Sequence, residues 1–370
     1  MKSVVVGGGN LGHAITVTLA ENCRSVGLLT RDCAGFGSAL TARLPSGDEI
    51  RADRIAYSER PEELITSADV VILAVPSHVL AGALRSIRHV VTPRHVVGSV
   101  VASGGFFWMA REILGKGPGL FAFQRVPFIC RVVERGALVD ISGLKDELYM
   151  AQTGAFRSET RSSELVDILG RSFRTKIVLL ESYLEATVSN SNPILHGCRL
   201  DSLLERGAGQ EPLHFYRDWD LRSSELALQC DAEILRIVDM LPIRFSHFKS
   251  LAEHYGIGSA VELTDKLSSI DALREITFPV DRDETGRTFP DRKNRYFIED
   301  VPFGLVVLRA LAQMVGVRTP TIDGVLSRLQ NFLGESYLSS EGDLSGCSIA
   351  SSGIPQNFGV STIKDLLDLE

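Results

Sequence analysis

The sequence predicts an α/β chain in which a parallel, doubly wound sheet is followed by a mostly α-helical second domain. Three observations carry this. A glycine-rich turn at residues 7–12 joins an apolar, β-branched run to an apolar helical stretch. Short apolar runs then alternate with stretches of helical periodicity as far as about residue 180. From Glu181 onward helical periodicity dominates. The domains are accordingly expected at residues 1–180 and 181–370.

Ser3-Val4-Val5-Val6 reads as the first strand, and Asn10 to about Asn22 as the first helix, with Leu11, Ala14, Ile15 and Leu19 apolar. Between them stands Gly7-Gly8-Gly9-Asn10-Leu11-Gly12, a G-x-G-x-x-G turn. Gly7 permits the tight turn, Gly9 lets backbone N–H groups approach a pyrophosphate, and Gly12 lets the helix pack closely on the strand. The helix start at Asn10 and Leu11 adds unpaired N–H groups and the positive end of the dipole. Strand, glycines and helix in this order point to a Rossmann dinucleotide site, with Gly7, Gly9, Asn10, Leu11 and Gly12 as its contacts.

The second strand, Ser25 to Leu29, is followed by Thr30-Arg31-Asp32. An acid at this strand end would accept hydrogen bonds from the adenosine ribose and favour NAD, whereas an arginine would pair with the extra phosphate of NADP. Asp32 has the acid's usual spacing of about twenty residues from the last glycine. Counted from the strand end, however, Thr30 takes the acid's position and Arg31 follows it. The expected cofactor is NADPH, held through Thr30 and Arg31. NADH is the alternative, with Arg31 then a solvated surface charge.

A helix near Pro61 to Ser67 leads into the strand Val70 to Val75, which Pro76-Ser77 stops. An amphipathic helix follows through Val79, Leu80, Ala83, Leu84 and Ile87. The strand Val96 to Val101, the turn Ser103-Gly104-Gly105 and a helix to about Leu114 come next, and then strand-like runs at Gly119–Phe123, Phe128–Val133 and Ala137–Ile141. Ligands of such sheets lie beyond the carboxyl ends of the strands, which puts Pro76 on the border of the cofactor. In the second half helices are expected at Leu221–Met240, Ile243–Tyr255, Val261–Leu273 and Gly304–Val315. Arg206–Pro212, Pro279–Asn294 and Ser339–Gln356 read as loops, and Ser361–Leu369 as a short last helix.

With 370 residues, 44% of them hydrophobic, the chain can bury two cores. A net charge of −7 and the lack of a basic stripe argue against nucleic acid. No apolar run reaches membrane-spanning length, and the chain opens on its cofactor strand instead of a signal peptide, so a cytoplasmic protein is expected. The six cysteines are scattered without a C-x-x-C pair and read as reduced thiols, with no metal site. A homodimer is one option for the assembly.

Two stretches of the second half carry chemistry. In Asn190-Ser191-Asn192-Pro193-Ile194-Leu195-His196, Asn192 before Pro193 reads as an N-cap and first helical position. His196 then falls in or just after the first turn, where the dipole disfavours imidazolium and leaves the ring able to accept a proton. A structural histidine is the plain alternative. In Arg292 to Leu305, the planar fork of Arg295 suits a carboxylate, and Asp300 could fix a histidine's tautomer. The plain alternatives are a surface arginine and a helix-capping aspartate.

Together with the glycine loop, these stretches resemble the octopine/nopaline dehydrogenase family, the opine dehydrogenases. Gly7 to Ala14 resembles the family's cofactor loop, and Pro127 to Val132 its mid-domain strand. Asn192 to His196 resembles the segment bearing the catalytic histidine, and Arg295 to Pro302 the one bearing a catalytic arginine and aspartate. The resemblance implies a Rossmann domain followed by a helical one. It also implies reductive condensation of an amino acid with an α-keto acid, using NADH or NADPH. It gives His196 the general acid/base role, makes Asp300 the holder of its tautomer, and makes Arg295 the binder of a substrate carboxylate.

The loop Phe215 to Asp220, where the amino-acid pocket is expected, departs from the family pattern and leaves the substrate pair open. Two other functions are weighed. A ketopantoate or glycerol-phosphate type reductase would use a lysine early in the second domain, yet none lies between Glu181 and Arg199. A non-catalytic NAD(P)-binding sensor would need the glycine loop alone.

Overall fold

The computed structural model describes residues 1–154, 159–206, 214–278 and 280–370. The chain groups into two compact units, Met1–Val188 with Lys364–Glu370, and Ser189–Ile363. The short last helix, Ile363–Leu367, was expected with the second domain, but its residues from Lys364 group with the first unit. There the Tyr183 hydroxyl donates to the Leu366 carbonyl (2.9 Å), and the Glu370 carboxylate accepts from the Ser182 hydroxyl.

The first unit is built on an eight-stranded sheet. Its order is Lys176–Leu179, Glu147–Thr153, Gly119–Phe123, Val96–Ser99, Val70–Leu73, Lys2–Val6, Ser25–Leu29 and Ile55–Ser58. From Gly119–Phe123 to Ile55–Ser58 all neighbours pair parallel. Glu147–Thr153 runs antiparallel to Gly119–Phe123 and carries Lys176–Leu179 parallel to itself at the edge. Val70–Leu73 and Val96–Ser99 are buried at every position, as strands covered on both faces must be. Lys2–Val6 lies between Ser25–Leu29 and Val70–Leu73, so the chain winds outward in both directions from it. That reversal is the switch point at which doubly wound sheets open a ligand crevice, and residues 7–12 leave from it.

The helix Asn10–Ala20, read as apolar from the sequence, is buried from Gly12 to Leu19 on all sides. The cause is a second sheet. Glu49–Ala52, Leu40–Arg43, Leu138–Gly143 and Ile129–Glu134 form a separate four-stranded sheet, against which this helix also packs. The runs at 128–133 and 137–141 were expected to extend the parallel sheet. They pair antiparallel instead, because a turn of this length cannot make a parallel crossover. Gly136 sits in that turn at φ +72°.

The second unit is helical, with Asn192–Arg206 at its centre, packed on Leu221–Met240, Pro320–Leu333 and the turn Val301–Leu305. Two glycines set the last contact. A Cβ on Gly197 would lie 2.6 Å from the Leu305 side chain, and one on Gly304 would lie 2.5 Å from Pro193. Both absent methyls let the turn approach the helix face that carries His196. Helical structure at 243–255 is confined to Leu251–Tyr255, and the stretch 261–273 is split into Ala260–Ser268 and Asp271–Arg274. Ser250 and Ser259 explain both starts, since each accepts a hydrogen bond from the N–H three residues on. The expected loop 279–294 contains a small hairpin, Val280–Arg282 with Thr288–Pro290. Pro279 and residues 207–212 of the other expected loop lie outside the described residues. Among the described residues, no helix is long and apolar enough to cross a membrane.

Candidate active site

The glycine turn is assembled by the strand ends around it. The Gly7 N–H donates to the Leu29 carbonyl (2.9 Å), at φ +114°. A Cβ there would lie 2.7 Å from the Ala74 carbonyl oxygen. A Cβ on Gly12 would overlap the Gly7 carbonyl oxygen at 1.7 Å, so the helix can start here only without a side chain. A Cβ on Gly9 would meet nothing within 4 Å. No side chain caps the helix Asn10–Ala20, so its first N–H groups face the open side at Gly9. This combination fits a dinucleotide pyrophosphate. Pro76, exposed, follows Val75, whose side chain closes on Gly7. The Asn10 side-chain oxygen accepts from the Val132 N–H (2.9 Å) and ties the turn to the small sheet.

Thr30 is buried at the end of the second strand, with its hydroxyl against Gly8. Arg31 is exposed and has no hydrogen-bond or ion-pair partner among the described residues. Asp32 pairs with Arg135 (3.1 Å), an arginine that sequence reasoning missed. Arg135 comes from the turn of the small sheet, about a hundred residues on. Buried His13 holds that turn in place: its Nδ1–H donates to the Gly9 carbonyl (2.9 Å), and its Nε2 accepts from the Gly136 N–H (2.9 Å). Burial holds the His13 pKa below the usual histidine value, so the ring is neutral.

In the second unit the helix Asn192–Arg206 starts one residue earlier in capping terms than expected. The Leu195 N–H bonds the Ser191 carbonyl (3.0 Å), so Ser191 is the flanking residue and Asn192 is the first helical one. His196 is 5% exposed. Its Nδ1 lies 2.7 Å from Asp300 Oδ2 and its Nε2 lies 2.7 Å from the Tyr216 hydroxyl. An ionised carboxylate can only accept, so Nδ1 carries the proton, and the Tyr216 hydroxyl then donates to Nε2. Asp300 begins the π-helical turn Val301–Leu305 and makes no side-chain cap there, which removes the capping alternative. Its own carbonyl accepts the Leu305 N–H (2.9 Å), aiming the carboxylate at the ring.

Arg295 stands apart from this pair. It opens the helix Arg295–Ile298, which Asn294 caps, its side chain is 69% exposed, and it pairs with Glu299 (3.0 Å). Tyr216 is the residue that sequence reasoning did not single out. It lies in the 215–220 loop, and Arg199, one turn beyond His196 on the same helix, clamps that loop. The buried Arg199 guanidinium donates to the carbonyls of Phe215 (3.2 Å) and Asp218 (2.6 Å) and pairs with the Asp220 carboxylate. The Tyr216 ring stacks on Trp219 (5.9 Å, 12°), and Phe215 stacks on Tyr296 (4.5 Å, 26°), which flanks His196 at 4.4 Å. Burial holds the Tyr216 phenol well above its usual pKa, so the hydroxyl is neutral.

Residues 179–333 match the α-helical domain of NAD/NADP octopine/nopaline dehydrogenase. Residues 2–112 match the N-terminus of NAD-dependent glycerol-3-phosphate dehydrogenase. The octopine dehydrogenase of Mizuhopecten yessoensis is 25% identical over 397 residues, which cover 99% of this chain and 98% of that protein. The chain is thus similar to the octopine/nopaline dehydrogenase family, whose model matches its helical half. The tauropine dehydrogenase of Arabella iricolor is 25% identical over 328 residues, covering 84% of this chain and 82% of its own. An octopine dehydrogenase solved with NADH and agmatine has the same fold, with a TM-score of 0.87 at 24% identity over 99% of this chain and 98% of that one. The segments around His196 and Asp300 both fall inside the matched helical domain.

Proposed function

We propose that this protein is an opine dehydrogenase, an NAD(P)-dependent oxidoreductase that reductively condenses the amino group of an amino acid with an α-keto acid. The observation that carries the reading is His196, buried in the helical domain between a carboxylate and a hydroxyl. A histidine so held can take up a proton at Nε2, while Asp300 fixes its tautomer and balances the charge that results. In this reading the first domain binds the cofactor and the second supplies the acid–base chemistry.

The amino acid arrives as an ammonium and must lose a proton to become a nucleophile. His196 receives that proton, and the free amine condenses with the keto acid to an imine. The reduced nicotinamide, when bound, supplies the hydride that turns the imine into a secondary amine. Arg295, whose side chain is exposed beside the buried Glu299 carboxylate, binds a substrate carboxylate in a two-point grip. The cofactor preferred is NADPH: Arg31 has no partner among the described residues, and Asp32, the acid next to it in the chain, is engaged by Arg135.

The test is NADPH and NADH oxidation at 340 nm with pyruvate, 2-oxoglutarate or glyoxylate, each with and without a panel of amino acids. Oxidation that requires both substrates is the expected result. Oxidation with a keto acid alone would replace the reading with a simple keto-acid reductase, and no oxidation with any pair would leave a cofactor-binding protein.

A further inference from the structure

We propose that Tyr216 relays the proton between the substrate amine and His196, and that His196 does not take it directly. The inference rests on the condensation reading above. The geometry leaves the ring no other route: Asp300 occupies Nδ1, and the Tyr216 hydroxyl occupies Nε2 at 2.7 Å. No ring nitrogen is open to a substrate.

Tyr216 is also held where it is. Its ring lies flat on Trp219 and edge-on to Phe215, and Arg199 grips the backbone of the loop at Phe215 and Asp218. Swinging the tyrosine aside would break these contacts together and expose a buried guanidinium's partners. A phenol donating through its one hydrogen keeps a lone pair to accept another. The substrate ammonium therefore gives its proton to the Tyr216 oxygen as the Tyr216 proton passes to Nε2. One N–H and one O–H bond break, and one O–H and one N–H bond form. The amine becomes neutral, the tyrosine leaves the step as it entered, and His196 becomes imidazolium against Asp300. The same path, reversed, returns the proton later, and no further reactant is needed.

Because burial keeps the phenol neutral, Tyr216 acts as a conduit and not as a resident base. The titratable groups facing it are Tyr296 and Arg295 from Arg295–Ile298, Tyr255 from Leu251–Tyr255, and Asp300. Of these, Arg295 alone favours the ionised phenol.

The experiment is a proton inventory in mixtures of H2O and D2O on kcat/KM for an amino acid, using pyruvate with whichever standard L-amino acid gives turnover. It is run on the full-length enzyme and on Tyr216→Phe, which keeps the stacked ring. The relay moves two protons together, so the wild-type plot curves downward into a bowl, whereas Tyr216→Phe gives a straight line and a kcat/KM about 10²-fold lower, at the lower end of the range of positioned acid–base catalysis. A straight wild-type plot, or unchanged turnover in Tyr216→Phe, would overturn the relay; the wild-type plot decides it even if the variant does not fold. In the ligand-free protein, imidazole 15N spectra read the same contact, with the Nε2 signal moving downfield in the variant. Absence of wild-type turnover with every pair would instead sink the condensation reading.

Discussion

His13 and His196, buried histidines of different units, bridge two partners apiece, and they differ in what those partners are. His13 donates to the Gly9 carbonyl and accepts from the Gly136 N–H. An N–H cannot accept, so a second proton on His13 would face a donor, and the ring is locked neutral. His196 donates to a carboxylate and accepts from a hydroxyl. A carboxylate welcomes the imidazolium, and a hydroxyl can turn from donor to acceptor, so His196 is supported in both protonation states. Burial and hydrogen bonding alone therefore do not mark a histidine for proton transfer. The chemistry of its partners does: His13 staples a cofactor turn to a sheet, while His196 is built to change charge.

The largest effect that would break this contrast lies at His196. His196→Ala should lower turnover by about 10²–10⁴-fold with NADPH affinity unchanged, as steady-state rates and a fluorescence titration would show. Next comes the residue that holds the hydroxyl partner. Arg199→Met leaves the Phe215 and Asp218 carbonyls without their donor while Asp220 keeps Arg206, Ser202 and Ser223, and denaturant unfolding should lose about 1–3 kcal/mol per stranded carbonyl; a loss under about 1 kcal/mol would mean that the clamp is dispensable. Arg31→Ala should weaken NADPH by about 1.5–3 kcal/mol and spare NADH, and equal losses would remove the phosphate role. The smallest effect is expected at His13. His13→Leu leaves a carbonyl and an N–H unpaired and should cost about 1–3 kcal/mol of stability.

His13 also has a pH signature. Its folded pKa lies below the unfolded 6.5, so its contribution is present above pH 6.5 and is lost as pH falls toward the folded value. Buried His95 has the same sign. Unfolding free energy should therefore drop between pH 7 and pH 5 in the wild type and drop less in His13→Leu.

What could be read ahead follows from range. The glycine turn, the β-branched strands beside it and the helix Leu221–Met240 are local patterns, and each is visible within a window of a few residues. His196 and Asp300 were visible because each sits in a short motif. Two strands of the small sheet were legible at 128–133 and 137–141, but the sheet was not, because Leu40–Arg43 pairs with Leu138–Gly143 across about a hundred residues and is itself too short to show a period. Arg135 and the His13 staple depend on that sheet and were hidden with it. Tyr216 lay in a loop already marked as the expected amino-acid pocket, yet nothing in Phe215-Tyr216-Arg217 signals a contact with an imidazole. The paired glycines Gly197 and Gly304 were the legible hint that two segments approach closely, and they do so beside the dyad. Arg295 shared a motif with Asp300, but a helix start turns its side chain outward to Glu299.

The contrast is tested most directly by single-turnover NADPH oxidation at saturating cofactor, pyruvate and the productive amino acid, with His196→Ala and His13→Leu measured side by side. The account predicts that His196→Ala loses two or more orders of magnitude in the first turnover while His13→Leu stays within a few-fold of wild type. Comparable losses in the two variants, or a near-normal turnover in His196→Ala, would contradict it.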